Sequence, residues 1–494
     1  MARQARRQRT VLEPIGEVRR FELPFTAAPG RLIKPEIGLC SIALRSGEHK
    51  PYTIDVTVLD APDLRLVRAG VWLAHRVVDG RGEWYLASDQ WAPWLPTERV
   101  EQMGDVDLPE TFADLVRPFR RGAPLGPVVA LTCDREEFTL RGDRAELLAV
   151  LRDDRVQVRS SGVVTASYRE VTIAGVEDRL QSPQITWLTE VLCGVGASRV
   201  LEFPTLAQRI GAPATGLSDF PPPRDCKPGD SLEQVWSYRI GRRMREVTHA
   251  DLALRARAPG AHQDLVERLR EIRAQFLGFI PLLDPAWARD LVAELDGLLA
   301  ELADPDRADT VVNGERYLRV LDRLVSAVRA PALGGQAAEP AGVALAGELG
   351  ARLGEFVIAC DALGMSAEDS AWQSALAAAA GVIDSCHVQI RPSARVGRIG
   401  ERAARLARRL VDCVRVTEEY AGLDVGSLTS REAFAAGRRF ERLFADQGAA
   451  RTEFLARWAR QRPRLVRDAE VREEAASRPK AGRAAGKRRS REKR

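Results

Sequence analysis

The N-terminal part of the chain carries short segments in which apolar and polar residues alternate. From about residue 15 to 175 these segments are rich in β-branched and aromatic residues and are separated by Gly, Asp and Pro. The clearest are YTIDVTVLD (52–60), GVWLAHRVV (70–78), GEWYLAS (82–88), PVVALTCDREEFTLR (127–141), RVQVRSS (155–161) and YREVTIAG (168–175). Such alternation is typical of antiparallel strands with two different faces. We therefore predict an antiparallel β domain, with a helix over 184–196.

The pattern changes after a proline-rich stretch at 212–230, which we interpret as a linker. Over 231–463, Ala, Leu, Arg and Glu recur at helical spacing. The clearest predicted helices lie at 264–283, 286–302, 314–328, 397–416 and 431–446. A loop is predicted at 331–341, between two groups of helices. The fold class is therefore a multidomain α+β chain with a β domain followed by an all-α helical bundle.

Composition excludes several classes of protein. Of the 494 residues, 45% are hydrophobic and 29% are charged, as in a soluble globular protein. No window approaches 18 uncharged apolar residues, and the basic N-terminus is not followed by an apolar signal region. The seven cysteines are scattered and never spaced as CxxC, which argues against a zinc site and against a disulfide framework. We expect a cytoplasmic bacterial protein.

Charge is concentrated at the two ends of the chain. The net charge is +5, but residues 478–494 carry nine Lys/Arg and one Glu, and residues 1–12 carry four arginines. The body between them therefore holds a net charge of about −7, so an anion site there requires local clustering of cations. The chain has six lysines against 68 arginines, and arginine grips phosphate oxygens bidentately. Residues 464–494 are predicted to form a basic, disordered tail that could attract nucleic acid without specificity.

The segment VTVLDAPDLRLVRAGVWLAHR (56–76) matches a pattern of one known family. The matching residues are Asp60, Pro62, Asp63, Leu66, Gly70, Leu73 and Arg76. On this segment, residues 12–211 resemble a CYTH domain, the triphosphate tunnel fold. The resemblance implies an antiparallel β-barrel in which inward basic side chains bind phosphate and carboxylates hold Mg²⁺ or Mn²⁺.

The residues at the metal positions depart from the CYTH pattern. In GEVRRFELP (16–24), the resemblance places the two metal-binding carboxylates at Gly16 and Val18 and a base at Arg20. Glu170 stands at a later carboxylate position, but its same-face neighbour is Thr172. We therefore predict no catalytic residue beyond the weak candidate Glu170, no metal site and no cofactor, unless a divergent triphosphatase uses Mg²⁺ or Mn²⁺. Four arginines could still bind an anion in the barrel or pair with its acidic wall: Arg20, Arg76, Arg135 and Arg141.

Residues 231–463 resemble a CHAD domain, the conserved histidine α-helical family, at 235–283 and at 304–312. The resemblance implies binding of inorganic polyphosphate. The family's histidines are displaced or absent here. Gln263 falls at the first histidine position, with His262 one residue earlier, and the second position falls near Arg398 or Ile399.

Arginine recurs along two segments of the predicted bundle at helical spacing. The first set is Arg239, Arg242, Arg243, His262, Arg270 and Arg273. The second set is Arg395, Arg398, Arg402, Arg405 and Arg409, preceded by Arg391. Steps of three and four place the second set on one helical face, where like charges repel unless a polyanion or neighbouring acids offset them.

The predicted function is binding of inorganic polyphosphate, or of a similar polyanion, through these arginines, with a CYTH-like pseudoenzyme domain beside them. Association with polyphosphate granules stays open. The alternatives are a metal-dependent triphosphatase or tripolyphosphatase with an altered site, an interaction scaffold whose arginines pair with acids, and a nucleic-acid binder that acts through the tail.

Overall fold

The computed structural model describes residues 17–28, 30–47, 50–96, 98–102, 107–176, 179–222, 224–390, 393–420 and 429–477. The chain divides into two compact units, residues 1–219 and 220–494. The boundary lies inside the predicted linker. The predicted combination of an N-terminal antiparallel β domain and a C-terminal helical domain is confirmed.

The first unit is built on a ten-stranded antiparallel sheet. Its strands are β1 (Val18–Leu23), β2 (Ser41–Leu44), β3 (Tyr52–Asp60), β4 (Trp72–Val78), β5 (Arg81–Ala87), β6 (Arg99–Gln102), β7 (Gly126–Arg141), β8 (Leu147–Ser160), β9 (Val163–Gly175) and β10 (Ser198–Val200). They neighbour one another in the order β10-β1-β9-β8-β7-β3-β4-β5-β6, and β2 pairs with β7.

Two tight turns fix the hairpins of this sheet. Asp79 and Gly80 join β4 to β5 with φ of 51° and 73°, and Ser161 and Gly162 join β8 to β9 with φ of 50° and 80°. Two successive residues at positive φ match the right-handed twist of the flanking strands. Each turn therefore sets which residues face each other in the ladder.

Over the residues described in this unit, five short helices accompany the sheet: α1 (Arg65–Arg68), α2 (Glu110–Leu115), α3 (Arg117–Arg120), α4 (Ser182–Gly194) and α5 (Leu206–Ile210). Helix α4, predicted at 184–196, buries Leu188 and Leu192 against Phe21, Leu151 and Ile173 of the sheet. This packing covers one face of β1, β8 and β9, so the alternate residues of these strands lie on the opposite face.

The described part of the second unit is built from helices. Its helices are α6 (Leu232–Arg255), α7 (Ala261–Phe279), α8 (Pro285–Glu301), α9 (Ala308–Asn313), α10 (Glu315–Arg329), α11 (Ala341–Asp361), α12 (Asp369–His387), α13 (Ala394–Tyr420) and α14 (Ser430–Ser477). Side-chain caps start several of them, as where Ser231 and Gln234 form a capping box at α6. The loop predicted at 331–341 separates α10 from α11 and includes a short 3-10 turn.

Aromatic residues fill the cores of the two helical groups. Trp236 meets Phe276 and Phe279 edge-to-face at 5.0 Å in the first group. In the second group, Trp372 meets Phe454 at 5.7 Å. Offset and edge-to-face arrangements are the favourable geometries for aromatic pairs.

Helix α14 runs beyond the domain end that the sequence predicted at 463. It contains Pro463 and reaches Ser477, and Leu465 is fully buried in the core of α11–α14. Residues 464–477, which the sequence analysis assigned to a disordered tail, are therefore helical, and the burial of Leu465 holds this part of α14 against the bundle. Residues 478–494 of that tail lie outside the described residues. Within the described part of the chain, no helix is both long and apolar enough to cross a membrane.

Candidate functional site

A row of polar side chains crosses five strands on the sheet face opposite α4. Glu22 of β1 pairs in register with Glu170 of β9, Glu170 with Asp154 of β8, Asp154 with Arg135 of β7, and Arg135 with Tyr52 of β3. Adjacent strands lie about 4.8 Å apart, so these five side chains are immediate neighbours. The row brings together two residues of the sequence analysis, Glu170 and Arg135, and adds Glu22 and Asp154, which it did not single out.

All four predicted barrel arginines donate hydrogen bonds to acceptors within the protein. Arg135 donates to both carboxylate oxygens of Asp154, at 2.7 and 2.8 Å. Arg76 lies 2.5 Å from Glu83, and Arg20 donates to the carbonyl of Leu201 at 3.2 Å. Arg141 donates to the carbonyl of Ala145 at 2.7 Å. The prediction that they bind an external anion therefore stays a prediction, and each would first have to leave an internal partner.

The carboxylates of the row are engaged as well. Arg209 of α5 contacts Glu22 and lies 3.0 Å from Glu170. Burial raises the pKa of Glu170, an effect that the hydrogen bond from Arg209 opposes. Because guanidinium groups already hold Glu22, Glu170 and Asp154, the row does not fit the Mg²⁺ or Mn²⁺ that the CYTH resemblance implies. Among the described residues, no group of three or more His, Cys, Asp or Glu side chains is arranged to hold a metal ion. Gly16, at the first metal position of the resemblance, lies outside the described residues.

The members of the first arginine set of the helical unit have separate partners. Arg239 donates to the carbonyls of Val388 and Gln389 at 2.5 and 2.8 Å, and thus caps the end of α12. Burial lowers the pKa of Arg239, as expected for a cation held away from water. Arg239 therefore acts as a cap of α12 that stabilises the bundle.

The other members of the first set are similarly placed. Arg242 and Arg243 pair with Glu246, and Arg243 also lies 2.9 Å from Glu271. Arg273 pairs with Asp296. His262 is 2.8 Å from the carbonyl of Leu302, whereas Arg270 is exposed. The structure therefore does not gather this set into one cationic surface.

The second arginine set lies on α13 as predicted, and part of it lines a groove. The groove lies between α13 and α14 and has a volume of about 540 Å³. Its lining is Arg402, Arg405, Leu406, Arg408, Arg409, Asp412, Arg457, Arg460 and Gln461. Arg395 and Arg398 precede these residues on α13, and Arg391 lies outside the described residues. We call this feature the arginine groove.

Three arginines of the groove were not among the predicted site residues. Arg408 lies one residue before Arg409 on α13, and Arg457 and Arg460 are on α14. The sequence RWARQRPR (457–464) contains arginines at a spacing of three, which could have indicated a second cationic face. Nothing in the sequence alone shows that this face meets α13.

Two carboxylates hold part of the groove in place. Glu453 Oε1 lies 2.8 Å from Arg409 Nη1 and 2.8 Å from Arg457 Nη2. Asp468 accepts from Arg402 at 2.9 Å and from Arg395 at 2.7 Å. These pairs join α13 to α14 and offset the repulsion among the arginines of α13.

The remaining groove arginines are less engaged. Arg405 is 4.0 Å from the exposed Glu401, and Arg460 donates to the carbonyl of Ala456, within its own helix. Arg408 is exposed and forms no ion pair within the described part of the chain. Three guanidinium groups are thus available to an anion on two facing helices.

No family model matches the chain. The chain is similar to two uncharacterised proteins of Mycobacterium tuberculosis, one from strain H37Rv and one from strain CDC 1551, each 25% identical over 317 residues. Each match covers 59% of this chain, and the chain spans 58% of the length of these curated relatives.

Two solved structures are also similar to part of the chain, each at 13% identity and a TM-score of 0.21. One is a Bacillus halodurans protein described as a "putative adenylate cyclase", matched over 35% of this chain and 97% of that one. The other is the PH1819 protein of Pyrococcus horikoshii OT3, matched over 38% of this chain and 91% of that one.

Proposed function

We propose that this protein binds inorganic polyphosphate, or a similar linear polyanion, in the arginine groove between α13 and α14. The observation that supports the proposal is the convergence of six arginines on one groove of about 540 Å³. Guanidinium groups bind phosphate oxygens through charge-assisted, often bidentate hydrogen bonds. A polyphosphate chain supplies successive anionic units to such a surface and needs no base-specific contact.

The pattern of ion pairs supports a binding role better than a purely structural one. If all six arginines were neutralised by neighbouring acids, the interaction-scaffold alternative would be favoured. Glu453 and Asp468 engage Arg402, Arg409 and Arg457, but Arg405, Arg408 and Arg460 remain available. The groove therefore keeps an excess of positive charge that an external polyanion can neutralise.

We further propose that the β domain is a CYTH-like domain without catalytic function. The ion pairs of the row from Glu22 to Arg135 support this, because they occupy the carboxylates that a metal-dependent triphosphatase would need. The triphosphatase alternative predicts phosphate release from tripolyphosphate with Mg²⁺ or Mn²⁺, and its loss in Glu170→Gln.

The experiment that tests the proposal is binding of long-chain polyphosphate to the full chain at moderate salt. We expect Arg405→Glu, Arg408→Glu and Arg460→Glu together to lower the affinity at least about tenfold, because three attractive charges become repulsive. The matched control changes three exposed arginines of the same unit, Arg289→Glu, Arg307→Glu and Arg319→Glu, with an identical change in net charge.

Equal losses in both triple variants would show that net charge, and not the arginine groove, governs binding. Failure of the wild-type chain to bind would refute the proposal. Deletion of 478–494 separates the nucleic-acid alternative, which predicts that binding disappears, from the groove, which predicts that most polyphosphate binding survives.

A further inference from the structure

Helix α5 lies on the sheet face opposite α4, the face that carries the row of polar side chains. A capping box determines where α5 begins. Thr205 Oγ1 accepts from the backbone N–H of Gln208, and the Gln208 side chain accepts from the backbone N–H of Thr205. Leu206 and Ile210 of α5 pack against the apolar cluster that includes Val156 of β8. Because Val156 is two residues from Asp154, this contact places α5 on the same face as the row of charges.

Arg209 projects from α5 into that row. Its Nη2 contacts Glu22 and lies 3.0 Å from Glu170 Oε1, and its guanidinium carbon lies 4.1 Å from the centre of the Tyr168 ring. The Arg209 side chain is only 16% exposed. One guanidinium thus bridges two carboxylates and is held in place by an aromatic face.

The row would be electrostatically unfavourable without this bridge. Glu22, Glu170 and Asp154 are consecutive register partners on neighbouring strands, and Asp154 is the most buried of the three. Like charges directly opposite each other destabilise a sheet. Arg135 and Arg152 pair with Asp154, which leaves the two facing glutamates for Arg209.

We propose that Arg209 is the resident counter-ion of Glu22 and Glu170, and that α5 excludes divalent cations from this row by supplying a cation of its own. The β domain then needs no metal ion for its charge balance. Removal of the guanidinium leaves adjacent carboxylate oxygens, the ligand type that Mg²⁺ and Mn²⁺ prefer. This inference concerns the β domain and is independent of polyphosphate binding by the helical unit.

The test is Mn²⁺ binding to the full chain, which is measured by calorimetry and by the electron paramagnetic resonance signal of free Mn²⁺. We expect the wild type and Arg209→Lys to show no binding that depends on Glu170. Arg209→Ala should bind Mn²⁺ stoichiometrically, and Mn²⁺ should raise its thermal unfolding temperature, because a ligand of the folded state stabilises it. Adding Glu170→Gln to Arg209→Ala should abolish both effects.

Arg199→Ala is the matched control, since Arg199 lies on β10 and is half exposed, 3.9 Å from Glu17. It should gain no Mn²⁺ binding. Arg209→Gln gives a second neutral variant if the alanine variant folds poorly, and folding of either variant only in the presence of Mn²⁺ would also support the proposal. Glu170-dependent Mn²⁺ binding by the wild type, or folded neutral variants that bind none, would overturn it.

Discussion

Glu453 of α14 reaches across to α13, where one carboxylate oxygen lies 2.8 Å from Nη1 of Arg409. The same oxygen is 2.8 Å from Arg457 of its own helix. Both arginines line the arginine groove, so Glu453 is an internal competitor for any anion that enters.

Glu453→Gln should therefore strengthen polyphosphate binding. The substitution removes the competing charge and keeps a hydrogen-bonding side chain of similar size, and we expect an increase in affinity of about two- to fivefold, as suits exposed ion pairs. The comparison is Glu355→Gln, which changes charge equally on α11, where Glu355 pairs with Arg352. An unchanged or weaker affinity for Glu453→Gln alone would argue that the ligand does not contact Arg409 and Arg457.

Polyphosphate binding should weaken steeply with salt, and the groove arginines should set the slope. Replacement of Arg405, Arg408 and Arg460 by Gln should make the negative slope of log K against log salt shallower by about 2. Each phosphate of a single-stranded polyanion that pairs with a cation contributes about −0.7 to this slope. The measurement is a binding titration over a range of NaCl concentrations. The same slope in wild type and variant would mean that these three arginines do not bind phosphate.

The buried pair of Asp251 and Arg255 should matter for stability and not for binding. Asp251 accepts from Arg255 at 2.7 Å and from the Tyr317 hydroxyl at 2.9 Å, and neither side chain of the ion pair is more than 1% exposed. Asp251→Asn removes the buried carboxylate that faces the Arg255 guanidinium, so the free energy of unfolding should fall by about 3–5 kcal/mol.

Asp264→Asn is the comparison, because Asp264 forms an exposed pair with Arg268 that should contribute about 0–1 kcal/mol. Chemical denaturation measures both variants. If folded Asp251→Asn also bound polyphosphate more weakly, the first arginine set would need to be reconsidered as part of a binding surface.

His249 of α6 should make the helical unit sensitive to acid. Burial, together with the charge of Arg245, lowers the pKa of His249. The unfolded chain, in which a histidine has a pKa of about 6.5, therefore takes up the proton more readily than the folded chain does. Because the unfolded state binds more protons, the free energy of unfolding should fall as pH decreases from about 7 to 5. His249→Gln should lose less stability over this range, as followed by denaturation at each pH, and parallel pH curves for variant and wild type would contradict this prediction.

An element could be predicted from the sequence where it is long enough to show a clear pattern of apolar and polar residues. Long strands such as β7 and β9 alternate clearly and were located from sequence. The short strands β2, β6 and β10 were not, because three or four residues hold no resolvable period. The partners of β2 and β10 also lie far along the chain. The helical end near 463 was placed too early, since the burial of Leu465 arises from packing and not from the basic composition around it.

The candidate sites show the same limit. Regular spacing predicted the face of α13 with Arg402, Arg405 and Arg409, because helical geometry fixes those relations locally. Arg209 and Glu22 are 187 residues apart, and only the strand register and the position of α5 bring them together. The groove wall on α14 likewise depends on which helix packs beside α13.

Helix α14 spans 48 residues, about 72 Å at 1.5 Å per residue. One side of it packs in the core, and another side lines the arginine groove. Trp458 packs in the interior, while Arg457 and Arg460, its neighbours along the helix, form a wall of the groove. The distance between the cationic walls therefore depends on the packing of Trp458, whose ring meets Phe356 of α11 edge-to-face at 5.7 Å. Selection for a well-packed interior at this position would also preserve the width available to a ligand, so drift in affinity can begin at residues that never touch it.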